Sequence, residues 1–138
     1  VLVLALVSEV VIGVDPWFNP RYVVPLAGMI FSAAMNTISL AGERAYAESA
    51  RGESFAETRR IAMQAALIPM TNSLFAVGLV ALPGMMTGQI LSGVSPVVAA
   101  KYQIVVMLML FGVTGLSAAI FIMLEREHLE SAGKQDET

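Results

Sequence analysis

Cysteine is absent from the 138 residues, and histidine occurs once, at His128. The chain therefore forms no disulfide and offers no thiolate to a metal or an acyl substrate; one histidine cannot cage a cation. Charge is scarce as well: 14% of the residues are Asp, Glu, Lys or Arg, and the net charge is −3. That leaves no basic footprint for nucleic acid, and no arginine-rich strip interleaved with aromatics is present. Gly-x-Ser-x-Gly, His-Glu-x-x-His and the phosphate-binding Gly-x-x-x-x-Gly-Lys-Ser/Thr loop are all missing. The sequence thus points away from an enzyme and toward a chain with no cofactor of its own. Any ATP hydrolysis that serves it belongs to another subunit.

What is present is apolar sequence, 57% of the residues, a share that suits a lipid bilayer. Only helices and closed barrels satisfy their own backbone in lipid, and the long apolar runs show no strand alternation. The expected fold is an all-α, polytopic transmembrane helix bundle. Residues 1–14 are apolar with no basic region before them, unlike a signal peptide. At roughly 1.5 Å per residue they reach about 21 Å against a hydrocarbon core of roughly 30 Å. They are read as a truncated span. Its one carboxylate, Glu9, either serves transport or reaches the interface. Two prolines and an aromatic pair make residues 15–21 an interfacial turn.

Three complete spans are expected, over residues 22–41, 61–82 and 102–124, each free of charge. Pro69 kinks the second or marks its entry into the bilayer. Pro83-Gly84 ends it, and residues 85–91 form a short outer half-helix. The membrane domain is placed at residues 1–124. Residues 125–138 are a polar tail, expected to fray beyond its first turn.

The connector 43–60 holds Arg44, Arg51, Arg59 and Arg60 against Glu43, Glu48, Glu53 and Glu57. Its arginines outnumber the lone Arg21 and Lys101 of the other loops, which places it in the cytoplasm. Arg126 and Lys134 put the tail on the same side. Ser54 followed by Glu57 is a capping-box pattern, so a helix should start at Phe55 and run through Arg59, Arg60 and Ala65 to Pro69. A short charged helix at the membrane face can dock into a groove on a partner; the alternative is an ordinary solvated loop.

Polar groups within the apolar runs are costly in lipid unless they face protein or water. Asn36 and Ser39 share a face of the first full span, and Gln64, Thr71 and Asn72 lie along the second. They either line a translocation path or hydrogen-bond between helices. Among nine methionines, Met85-Met86 sits at a helix break, open to a substrate or filling a gap. No set of metal ligands can be named. Gly84 with Gly88, and Gly115 with Ala119, have the small-x-x-x-small spacing of close helix contacts.

Several stretches together resemble one family. They are Val24-Pro25-Leu26-Ala27-Gly28-Met29, Met35-Asn36, Ala66-Leu67-Ile68-Pro69, the block from Val77-Gly78 through Leu82-Pro83-Gly84-Met85-Met86-Thr87-Gly88, and Lys101-Tyr102-Gln103-Ile104. They are similar to the FetB-type family of iron-export ABC permeases, from about Pro20 to Leu124. Glu48, Ala50 and Gly52 resemble a degenerate Glu-Ala-Gly cytoplasmic motif of such permeases. The resemblance implies a multi-pass permease of the plasma (inner) membrane, acting as a homodimer with a separate ABC ATP-binding subunit. It implies export of iron or another metal ion; Glu48 and Gly52 of that motif, with Phe55, Arg59 and Arg60 of the charged helix that follows as the handle, are expected to couple the chain to that ATPase. The residues alone leave open a passive channel or secondary transporter, and a membrane subunit without a pathway.

Overall fold

The structure, a computed structural model, describes residues 20–79 and 83–135. Every regular element among these residues is a helix: α1 (Pro20–Ser49), α2 (Phe55–Leu79), α3 (Gly84–Leu91), α4 (Pro96–Leu124) and α5 (Arg126–Gln135). The truncated span expected at 1–14, Glu9, most of the 15–21 turn and the end of the second expected span lie outside the described residues.

The turn between α1 and α2 is shorter than the predicted connector. Residues 43–49 continue α1 and residues 55–60 open α2, which leaves five residues, 50–54, between the helices. Gly52 ends α1 with φ +78°, in the left-handed region where glycine has no Cβ penalty. Its N–H donates to the Ser49 carbonyl at 3.0 Å, and the Glu53 N–H donates to the Glu48 carbonyl at 3.3 Å. This pair of bonds is a Schellman cap. Ser54 then starts α2: its carbonyl accepts from Thr58 N–H at 2.9 Å and its hydroxyl oxygen accepts from Glu57 N–H at 3.4 Å.

The same device recurs between α3 and α4. Gly93, at φ +93°, donates to the Ile90 carbonyl and Val94 donates to the Gln89 carbonyl, both at 3.0 Å. Ser95 then accepts from Val98 N–H at 3.4 Å and Ala99 N–H at 3.0 Å, with Pro96 in the first helical position, where its missing N–H costs nothing. The short half-helix predicted over 85–91 is α3. The tail departs from expectation: residues expected to fray form α5, because Leu129 anchors that helix in a buried cluster.

Among the described residues two segments, Val23–Ser49 and Pro96–Leu124, are long and apolar enough to cross a membrane. The sequence predicts three complete spans. The expected span over 61–82 runs past the described part of α2, and Gln64, Thr71, Asn72 and Ser73 are the polar residues within that part. Pro69 lies inside α2 without ending it. Phe31, Met35 and Ile38 on α1, and Leu108, Leu116 and Ile120 on α4, are exposed apolar side chains. Water would penalise such a surface, and lipid would not.

The helices form two compact units, one of Val1–Ile30 with Met70–Gly112 and one of Phe31–Pro69 with Val113–Thr138. The second is built on small residues. Ala41 and Ala45 of α1, Ala62 and Ala66 of α2, Ala118 and Ile122 of α4, and Leu129 of α5 form its buried cluster, flanked by Phe55, Met63 and Phe121. Alanines four apart on α1 and on α2 let the backbones approach. Closest approach falls at Gly42, where a Cβ would stand 3.2 and 3.3 Å from two carbons of the Phe121 ring. Gly84, Gly88 and Gly115, whose spacing suits contacts within the chain or between subunits, have open space at the Cβ position within this chain.

Candidate functional site

The connector turn and α5 lie in the second unit, and the cap described above determines where each side chain of the turn points. Glu48, in the last turn of α1, is only 3% exposed. Its Oε1 accepts from Arg44 Nη2 at 2.7 Å and from Arg51 Nη1 at 3.0 Å. One arginine comes from the preceding helical turn and the other from the chain just after the helix. A single carboxylate thus pins the end of α1 to the start of the turn, and the Schellman cap fixes Arg51 where it can reach.

On the other side of the turn, Arg60 folds back onto Glu57 with Nε to Oε2 at 3.0 Å, and its Nη1 reaches Gln64 Oε1 at 3.4 Å. The hydrogen bond from Arg60 holds the Glu57 carboxyl below the usual carboxylate range. The same bond raises the Arg60 guanidinium further. An acidic side chain in the first turn also suits the positive end of the helix. Arg59 is exposed and takes no part in an ion pair among the described residues. Phe55 is half-buried against the alanine cluster, and the Arg126 guanidinium sits 5.1 Å from its ring centroid, a cation–π geometry.

α5 holds the turn from the far end of the sequence. Tyr46 donates its hydroxyl to Glu125 Oε2 at 2.8 Å, and the Ser49 hydroxyl donates to the Leu129 carbonyl. Arg126 pairs with Glu130 at 2.8 Å, a bond that raises the arginine's pKa and orients it along the helix. Of the residues the sequence assigns to coupling, Glu48 and Gly52 shape the turn and Phe55 and Arg60 are engaged within the unit. Arg59 presents a guanidinium that is in no ion pair among the described residues. Sequence reasoning missed Tyr46, Ser49, Glu125, Arg126 and Leu129. The one signal for them was the spacing of Leu129 on a polar helix.

The residues assigned to a pathway divide between the units. Asn36, Ser39 and Gln64 belong to the second and are exposed. Thr71 and Asn72 on α2, and Met85 and Met86 in the first turn of α3, belong to the first; Thr71 and both methionines are half-buried and Asn72 is exposed. Among the described residues no group of three or more His, Asp or Glu could hold a metal ion.

Comparison with known proteins gives these observations a setting. A family model described as Uncharacterised protein family (UPF0014) matches residues 1–129. A UPF0014 membrane protein of Synechocystis sp. is 42% identical over 123 residues, covering 78% of this chain and 48% of the relative. The Probable iron export permease protein FetB of Escherichia coli is 40% identical over 118 residues, covering 75% of this chain and 46% of the relative. Protein ALUMINUM SENSITIVE 3 of Arabidopsis thaliana is 34% identical over 125 residues, covering 79% and 45%. The chain spans about half the length of the curated relatives it matches. No solved structure matches it.

Proposed function

From the premise that this chain belongs to the UPF0014 family of membrane proteins, we propose that it is part of the permease of an ABC transporter that exports iron or another metal ion. A separate ATP-binding subunit drives it, and two permease chains pair in the plasma membrane. The observation that carries this reading is the 40% identity to a relative named as an iron export permease. In this reading α2 is a third span, residues 1–124 form the membrane domain, and its connector 43–60 faces the cytosol together with the tail 125–138.

The geometry of the second unit suits a coupling element. ATP-driven closure of a partner must move helices, so the contact point has to be stiff. Here the turn is closed by a Schellman cap, pinned by the Arg44–Glu48–Arg51 cluster and braced by α5. A push on Arg59 at the start of α2 would be passed on to the helix rather than absorbed by a floppy loop. The partner supplies the nucleotide chemistry, and this chain supplies the lever and part of the path.

Reconstitution of the full-length permease with its ATP-binding subunit tests the reading. In proteoliposomes loaded with ferrous iron, both subunits and ATP should be needed for iron movement. Movement without the ATP-binding subunit would make the protein a channel or secondary transporter. A stable complex that hydrolyses ATP and moves no metal would make it a structural subunit.

A further inference from the structure

Ser32, Asn36, Ser39 and Glu43 of α1 all belong to the second unit, and all four are exposed. Steps of four, three and four residues put them within about 60° of one another around the helix, in a stripe about 16 Å long. Ala41 and Ala45, buried in the alanine cluster, lie on the opposite side of α1. The stripe therefore points away from the body of its own unit. Phe31, Met35 and Ile38 form an exposed apolar flank beside it.

A helix that crosses lipid can leave the apolar flank bare, but not the stripe, because serine and asparagine side chains in hydrocarbon forfeit their hydration. Thr37, buried on the inner side, meets that cost by donating its hydroxyl to the Ala33 carbonyl at 2.7 Å. The stripe has two suitable neighbours, polar groups of another chain or water. Glu43, at the connector end, favours water. Its neighbour Arg44 is committed to Glu48 at 2.7 Å, and Glu43 is in no ion pair among the described residues. A helix contact gains nothing from an unpaired carboxylate at its rim, whereas a water-filled path for a cation does, since the charge concentrates cations at the mouth. All four side chains carry oxygen, the donor that hydrated metal cations accept in place of water. Spread along the helix they cannot enclose one ion together, and neutral oxygens met in turn hold it weakly enough to let it leave.

We propose that Ser32, Asn36 and Ser39 line a water-filled path for the exported metal cation, and that Glu43 is the carboxylate at its cytosolic mouth. The inference rests on the transport reading above, with the connector in the cytosol, and gives it a wall and an entrance. Phe31, Met35 and Ile38 on the neighbouring face meet lipid.

The full-length permease with its ATP-binding subunit, reconstituted in proteoliposomes, provides the test. These 138 residues contain no cysteine, so single cysteines report on the stripe in an otherwise cysteine-free full-length protein. Ser32→Cys, Asn36→Cys and Ser39→Cys should react with a membrane-impermeant cationic thiol reagent roughly tenfold faster than Phe31→Cys, Met35→Cys and Ile38→Cys, because a thiol facing lipid does not ionise. Ferrous iron alone, under anaerobic conditions, should slow labelling of the stripe severalfold and leave the flank unchanged. Glu43→Gln should raise the iron concentration for half-maximal ATP-driven transport roughly fivefold at an unchanged maximal rate, and Glu43→Asp should restore it. Stripe cysteines that react no faster than flank cysteines, in a complex that exports iron, overturn the path, make the stripe a contact with another chain and leave the transport reading standing. Fast labelling that iron does not slow overturns the cation as occupant, and unchanged half-saturation in Glu43→Gln overturns the mouth. If the complex moves no iron, yet the stripe cysteines react fast and iron protects them, the path stands and the transport reading falls.

Discussion

Tyr46, one turn before the end of α1, hydrogen-bonds through its hydroxyl to Glu125, 79 positions later in the sequence, at 2.8 Å. With the Ser49 to Leu129 bond and Arg126 over Phe55, it makes the junction of α4 and α5 a brace that touches both sides of the connector turn. Each contact is small. Together they tie the two ends of the second unit around its alanine cluster.

If the Tyr46–Glu125 bond contributes as drawn, Tyr46→Phe and Glu125→Ala should each lower stability by about 1 kcal/mol or less, since both groups meet solvent. The double variant should lose no more than the worse single one. Thermal melts of the purified protein in detergent measure this cycle, and fully additive losses would show that the two side chains act separately.

Gly42 makes a sharper claim about packing. A Cβ there meets the Phe121 ring at 3.2 and 3.3 Å, so Gly42→Ala must displace the ring by a few tenths of an ångström. Against this stands a helix-propensity gain of about 1 kcal/mol, and the two effects should nearly cancel. Gly42→Val adds two methyl groups with nowhere to go and should cost about 1–3 kcal/mol. Phe121→Leu should recover part of that loss in the same melts.

The comparison of these residues shows what sequence could and could not convey. Helix-only architecture was legible because uncharged runs longer than a bilayer leave few alternatives, and the half-helix because Pro83-Gly84 and Ser92-Gly93 bracket it. The start of α2 at Phe55 followed from Ser54 and Glu57. The length of α1 did not: the charged residues from Glu43 mark a change of solvent, whereas a helix ends only where its cap lies, at Gly52. Within the chain the close approach is at Gly42 beside Ala41 and Ala45, and not at the small-residue spacings Gly84/Gly88 and Gly115/Ala119. Spacing alone does not say which face meets a partner. The brace by α5 depends on pairs 79 and 80 positions apart, and no local pattern announces those.

Both turns obey one rule, a left-handed glycine, one residue, then a capping serine. Gly52→Ala and Gly93→Ala should therefore each cost about 1 kcal/mol, and the asparagine variants less, because asparagine tolerates the left-handed region. Ser54→Ala and Ser95→Ala should cost about 0.5–1 kcal/mol each through the lost caps. Hydrogen exchange of the first-turn amides of α2 and α4 would register the change locally.

Acid should act on the start of α2 in one direction only. The Glu57 carboxyl is held below its usual range by its hydrogen bond from Arg60. A depressed carboxyl contributes stability above its unfolded-state value and loses it as pH falls through the folded-state value. Replacing Glu57 by Gln should thus weaken the first turn by the same amount at any pH above about 6. The difference from the unmodified protein should vanish in acid below the normal carboxylate range. Melting curves of both proteins across that range would reveal it, and a difference that grew on acidification would contradict the pairing.

Arg59 separates docking from folding. It is exposed and unpaired among the described residues, so Arg59→Ala should leave stability within about 0.5 kcal/mol of the original. Phe55→Ala removes a side chain packed on the alanine cluster and under Arg126, and should cost about 1–3 kcal/mol even without a partner. If the start of α2 is the handle that an ATP-binding subunit pushes, Arg59→Ala nevertheless lowers ATP-driven transport severalfold in the reconstituted complex. Phe55→Ala combined with it should uncouple hydrolysis from transport while the chain still inserts into the membrane. Equal coupling in Arg59→Ala and the unmodified complex would move the contact elsewhere on the unit, with the exposed charges of α5 next to be tested.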